Sequence, residues 1–137
     1  MRFADTNILL YAISGDPDEQ PKADRAKELM AERDLALSVQ VLQEFYVQAT
    51  RATRSDAIGH ADAVALIESF RRFPVAPVTA EVMAAALATC DRFRISYWDA
   101  AILEAARSLG CEIVLSEDLS DAVDYGGVRV VNPFRDG

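Results

Sequence analysis

The chain has 137 residues, 51% of them apolar and 26% charged, with 22 acidic side chains against 14 basic ones and a formal charge of -8. A chain of this size buries roughly 68% of its unfolded surface, so residues 1–137 are expected to form one compact domain without disulfides or structural metal. The acidity excludes a surface that coats nucleic acid by charge alone, and the absence of a signal-like run or of ~18 consecutive apolar residues points to a cytoplasmic protein with no membrane contact.

Arg2 to Ala4 reads as a buried strand, Asp5-Thr6-Asn7 as a turn, and Ile8 to Ile13 as a short helix ending at Ser14-Gly15-Asp16-Pro17. Residues 18–34 carry Ala23, Ala26, Leu29 and Met30 at helical spacing, the pattern of an amphipathic surface helix. Leu35-Ala36-Leu37 is a short buried strand. Ser38 is placed to cap a helix in which Val39, Leu42, Phe45, Tyr46 and Ala49 repeat, and Arg51 to Asp56 ends it. Ile58, Val64, Leu66, Ile67 and Phe70 mark the next helix, and Phe73 to Val78 an edge strand because of its prolines. Thr79 caps an alanine-rich helix to Phe93. Ser96 caps another, in which Trp98, Ala101, Ile102, Ala105 and Leu109 form one apolar stripe and Gly110 is the stop. Glu112 to Leu115 and Arg129 to Val131 are the last strands. Strands separated by helices imply an α/β domain with a parallel sheet of about five short strands and helices on both faces.

The chemistry is narrowed by what is scarce. His60 is the only histidine, which excludes histidine-pair catalysis and histidine-rich zinc sites, and Cys90 and Cys111 lack the paired spacing of a metal or redox motif. Carboxylates remain. Ligands of an open parallel sheet bind beyond the carboxyl ends of its strands, and Asp5 and Asp118 fall at two such ends. Asp99 lies three residues after Ser96, in the first turn of a helix, and Glu44 borders the apolar face of its own helix. Each alone has an ordinary reading as a cap, a turn former or a solvated flank. Together in one crevice they would repel unless a divalent cation neutralised them, and an oxygen-only donor set selects Mg²⁺ or Mn²⁺. Such an ion stabilises the charge developing on a phosphoryl oxygen.

Ala4-Asp5-Thr6-Asn7 after the first strand, Glu44 in the helix after the second, Tyr97-Trp98-Asp99-Ala100 opening a late helix, and Leu115-Ser116-Glu117-Asp118 after the fourth strand resemble the PIN domain, and most of all the VapC-type toxins of bacterial toxin-antitoxin modules. The resemblance covers essentially the whole chain. It implies a Mg²⁺- or Mn²⁺-dependent endoribonuclease with an acidic site of Asp5, Glu44, Asp99 and Asp118. Asp5 and Asp99 would be direct metal ligands, Asp118 a direct or water-mediated one, and Glu44 a member of the metal set that holds a metal-bound water or helps activate the nucleophile. Thr6, Asn7 and Ser116 match small polar positions expected to fix the carboxylates by hydrogen bonding. Asp121 is an alternative to Asp118, which lies closer to the strand end. The resemblance further implies a homodimer and a small cognate antitoxin. Phe45, Tyr46, Phe70 and Phe73 are either a groove for that partner or plain core. Arg51, Arg54, Arg92 and Arg94, near segments that bear site acids, are the candidates for contacts to RNA phosphates.

Two rivals fail on single residues. A phosphoryl-accepting signalling domain needs a late lysine, and none follows Lys27; a haloacid-type phosphatase wants an acid where Asn7 stands. The remaining alternative is a catalytically silent PIN-like module that binds protein.

Overall fold

The structure is a computed structural model, and residues 1–135 are described. β1 (Arg2–Ala4) leads into α1 (Thr6–Ala12); a 3-10 turn (Pro17–Glu19) and α2 (Gln20–Ala31) precede β2 (Leu35–Ser38). Next come α3 (Val39–Ala49) and α4 (His60–Phe70), then β3 (Val75–Ala76). The chain continues through α5 (Ala80–Phe93), α6 (Tyr97–Ser108), β4 (Ile113–Leu115) and β5 (Arg129–Val131). The five strands pair in the order β3-β2-β1-β4-β5, all parallel. Right-handed crossovers carry α1 to α4 over one face as the chain steps from β1 out to β3. The return to β4 lays α5 and α6 over the other, giving the expected α/β domain with helices on both faces.

Local sequence explains the boundaries. Ser38, Thr79 and Ser96 each accept a backbone N–H three residues on, from Val41 at 3.2 Å, Val82 at 3.1 Å and Asp99 at 3.0 Å. Such a cap contributes about 1 kcal/mol. The segment 18–34 begins instead as a 3-10 turn capped by Asp16. Its helix stops at Ala31 because Asp34 is drawn into the sheet, where its carbonyl accepts the Arg2 N–H at 2.7 Å. β3 lies at the sheet edge as its prolines required: the Pro74 carbonyl serves Leu37 N–H at 2.8 Å, and Pro77 stops the ladder.

Phe3, Ala4, Leu35 to Leu37, Val114 and Leu115 form the buried middle of the sheet. Phe45, Phe70 and Phe73 are core, Phe45 and Phe70 meeting edge to face at 5.1 Å, while Tyr46 is only half-buried and hydrogen-bonds His60 at 2.9 Å. Cys90 and Cys111 are free thiols. The expected stripe on α6 needs one correction. It is buried at Ala101, Ile102 and Ala105 and half-buried at Leu109, but Trp98 is 65% exposed, because it rims an open groove between α3, α5 and α6. Among the described residues no helix is long and apolar enough to cross a membrane.

Candidate active site

The central strand and its neighbour β4 run in register, Phe3 beside Val114 and Ala4 beside Leu115. Parallel pairing therefore brings Asp5 and Ser116 out together at the carboxyl edge, and the Asp5 N–H is still held by the Leu115 carbonyl at 3.0 Å. Asp5 is the N-cap of α1 and is only 8% exposed. Its Oδ1 accepts the Thr6 N–H at 2.7 Å, and its Oδ2 accepts the Ser116 hydroxyl at 2.7 Å. Ser116, fully buried, accepts in turn from the N–H groups of Asp118 at 3.1 Å and Leu119 at 3.2 Å. One hydroxyl thus orients Asp5 and folds the loop that carries Asp118.

Thr6 makes the link across the crevice. Its hydroxyl donates to Glu44 Oε2 at 2.7 Å, and Glu44 Oε1 accepts from Gln40 Nε2 at 2.9 Å. Gln40 lies one helical turn before Glu44 on α3, and the same amide reaches the Trp98 carbonyl at 3.3 Å. A single run of hydrogen bonds therefore joins β4, β1, α3 and the first turn of α6, which bears Asp99. Gln40 was not among the residues singled out from sequence, although its four-residue spacing from Glu44 is the signal for it.

The electrostatics set this edge apart. Burial pushes the Asp5 carboxyl up from its ordinary value to about 6. The Ser116 and Thr6 hydrogen bonds pull it back, and the charges of Glu44 and Asp118 push it further. The structure thus brings Glu44 and Asp118 each within electrostatic reach of Asp5, whereas the Gln40 bridge ends on the backbone of Trp98, the neighbour of Asp99, and leaves the Asp99 carboxylate outside the run. Asp121 is engaged elsewhere: its Oδ1 accepts the Asn132 N–H at 2.8 Å and its Oδ2 faces Arg135 at 3.3 Å, which closes the chain over the end of β5.

The fit to a divalent cation rests on two observations. Every titratable donor is a carboxylate, the chemistry of Mg²⁺ and Mn²⁺. The Asn7 amide, in the first turn of α1, has both Oδ1 and Nδ2 buried without a partner, so this edge holds polar capacity that the chain leaves unused. Among the described residues no three of His, Cys, Asp or Glu converge tightly enough to hold a metal ion together.

The arginines expected to touch RNA scatter. Arg54 pairs with Asp56 at 2.8 Å, and Asp56 also accepts the Gly15 N–H at 2.9 Å. Arg94 takes a left-handed backbone and pairs loosely with Asp91, and Arg51 is exposed. Arg92 stacks on Phe93 and reaches the Gly126 turn beside Arg107. That turn precedes β5 and so belongs to the amino edge of the sheet.

A sequence profile described as the PIN domain matches residues 2–120. No curated protein matches the chain by sequence. Among solved structures, a toxin-antitoxin complex from Klebsiella pneumoniae is 20% identical, with a TM-score of 0.69 over 97% of this chain and 98% of that one. The Mycobacterium tuberculosis toxin VapC20, which cleaves the sarcin-ricin loop, is 25% identical, with a TM-score of 0.66 over 86% and 92% of the two chains. A DNA-bound VapBC complex from Salmonella typhimurium is 18% identical, with a TM-score of 0.63 over 94% and 95%.

Proposed function

The chain belongs to the PIN domain family, and from that premise we propose that it is a Mg²⁺- or Mn²⁺-dependent endoribonuclease, the toxin of a toxin-antitoxin pair. The observation that carries this reading is the run of hydrogen bonds from Ser116 through Asp5, Thr6, Glu44 and Gln40 to Trp98, which links two of the proposed acids, Asp5 and Glu44, to the segments that bear the other two. The similarity to VapC20, a toxin that cleaves the sarcin-ricin loop, supports it.

Asp5, Asp99 and Asp118 would hold the cation, which supplies neutralisation of the carboxylates and of the charge that develops on the phosphoryl oxygens. Ser116 and the Thr6 N–H hold Asp5 with both oxygens committed in direction. Glu44, fixed at both oxygens by Thr6 and Gln40, orients the attacking water and draws its proton. The Asn7 amide, in the first turn of α1, supplies a buried donor and acceptor that the chain leaves unused. The reading includes a single domain over residues 1–137, a small antitoxin protein as partner, and pairing of two copies. Exposed Trp98, Val78 and Met83 around a groove of about 330 Å³ between α3, α5 and α6 support contacts of that kind.

The test is cleavage of structured RNA by the purified, antitoxin-free protein. Activity with Mg²⁺ or Mn²⁺, its loss in excess EDTA, and its loss in Asp5→Asn and Asp99→Asn are the expected results. Cleavage that persists in EDTA, or at the wild-type rate in either variant, would refute the site. A silent protein-binding module, favoured only by the loose spacing of the acids, predicts no cleavage under any of these conditions.

A further inference from the structure

A protein of charge -8 that cuts RNA must still hold a polyanion, and five of its twelve arginines stand at the wrong edge. Arg2 and Arg129 open strands, Arg33 and Arg72 precede them, and Arg107 reaches the turn before β5. All are at the amino edge, away from the carboxylates.

The carboxyl edge has a different set. Ser116 N–H donates to the Val131 carbonyl at 3.1 Å, so the end of β5 lies directly beside the acidic crevice. Past Val131 the chain turns over the start of α2, and between them opens a cleft of about 620 Å³ lined by Lys22, Arg25, Phe134 and Arg135. Three cations therefore share one cleft next to the site. Lys22 donates to Glu117, the neighbour of Asp118, and to the Tyr11 hydroxyl at 3.4 Å. Tyr11 also donates to Glu117 at 2.6 Å, and its ring meets Phe134 edge to face at 5.0 Å. Arg25 pairs with Glu28 at 3.5 Å, and Arg135 with Asp121 at 3.3 Å.

Arg25–Glu28 is solvent-exposed, so it is weak and easily exchanged, and in the other two pairs the cation is more exposed than the acid it faces. A phosphodiester offers the cations the same oxygen chemistry as the carboxylates they now face, and Phe134 gives the wall an aromatic ring, the combination that holds single strands. The loop 117–121 separates this cleft from Asp5, with Glu117 bound to Lys22 of the cleft and the exposed Asp118 near enough for its charge to act on Asp5. A strand lying across that loop places successive phosphates in the cleft and at the acids.

We infer that the cleft between α2 and the segment after β5 seats the RNA strand on one side of the scissile phosphate, with Lys22, Arg25 and Arg135 contacting its phosphates. This rests on the ribonuclease reading, but its test is binding rather than cleavage. The probe is a fluorescein-labelled single-stranded RNA about 12 nucleotides long, titrated by anisotropy in EDTA from about 50 to about 200 mM NaCl. Lys22→Gln with Arg25→Gln should weaken binding by roughly tenfold at the lower salt and reduce the salt slope by about 1.4, the value for two lost single-strand phosphate contacts. Arg25→Gln with Arg135→Gln, which leaves the Tyr11–Glu117 cluster untouched, should do the same with an unchanged melting temperature. Arg33→Gln with Arg129→Gln, at the amino edge, should bind as wild type does. Full affinity and slope in both cleft variants would overturn the inference and leave the ribonuclease reading standing. Polyglutamate displacing RNA at equal charge concentration would also overturn it, giving the cleft to an acidic protein segment. RNA binding that depends on the cleft in a protein that cuts no RNA with Mn²⁺ would refute the ribonuclease reading alone.

Discussion

Arg2, which opens β1, and Asp5, which follows it, are three residues apart and electrostatically opposite. At the amino end Arg2 is bound by Glu32 and by Asp34, whose Oδ2 it meets at 3.0 Å. The hydrogen bond from Arg2 holds the Asp34 carboxyl below its ordinary value. At the carboxyl end Asp5 is buried beside Glu44 and Asp118, and its carboxyl is pushed up to about 6. One end of the strand carries acids paired to a cation, which stabilises the fold. The other carries unbalanced charge that the fold tolerates, and perturbed groups of that kind mark functional sites.

The largest effect expected is on Asp5. Asp5→Asn should lower RNA cleavage with Mn²⁺ by at least ~100-fold, the upper range for losing a residue that merely supports a metal ligand. In the metal-free protein the same change should stabilise the fold. The native carboxyl at about 6 exceeds its unfolded value of 3.8, so the native state binds more protons between those values and wild-type stability falls as pH rises through them. Above pH 6 the cost reaches about 3 kcal/mol at most, from roughly 1.4 kcal/mol per unit. Denaturant titrations at pH 8 should show Asp5→Asn as the more stable protein, with the difference vanishing below about pH 4. A variant less stable at pH 8 would contradict the burial argument.

Next is Thr6, whose hydroxyl and N–H serve Glu44 and Asp5 at once. Thr6→Val keeps the N–H and removes the hydroxyl, and should cost about 10–100-fold in turnover while the fold is retained. Steady-state cleavage of one RNA, with circular dichroism as the fold control, measures it. An unchanged rate would show that Glu44 needs no positioning from Thr6.

The smallest effect belongs to the amino end. Arg2→Ala should cost about 1 kcal/mol near neutral pH and leave cleavage unchanged, since the pair is partly exposed. Because the folded Asp34 carboxyl is lowered, this stabilisation is present above its unfolded value and is lost as pH falls through the folded one. The two ends of β1 should thus respond to acid in opposite directions. Parallel unfolding curves of Arg2→Ala and Asp5→Asn across pH would show whether they do.

Much of this was legible in the sequence because short-range chemistry decides it. Caps at Ser38, Thr79 and Ser96, the proline-limited edge strand β3, and the acid directly after β1 are each set by neighbours within a few residues. What escaped depends on partners far along the chain. Lys22 meets Glu117 across 95 positions, which no periodicity reveals. Trp98 fits the spacing of a buried stripe, yet helical spacing gives only a side of the helix and not where its covering layer ends. Arg92 is near Asp99 in sequence, but its guanidinium reaches the Gly126 turn at the other edge of the sheet.

The most direct measurement of the central claim, that the carboxyl end of β1 holds charge awaiting a divalent cation, is the Mn²⁺ dependence of thermal unfolding at pH 8 in wild type and Asp5→Asn. Mn²⁺ in large excess should raise the wild-type midpoint by roughly 5 °C or more and leave the variant nearly unmoved. Equal shifts in the two proteins, or none in the wild type, would contradict it.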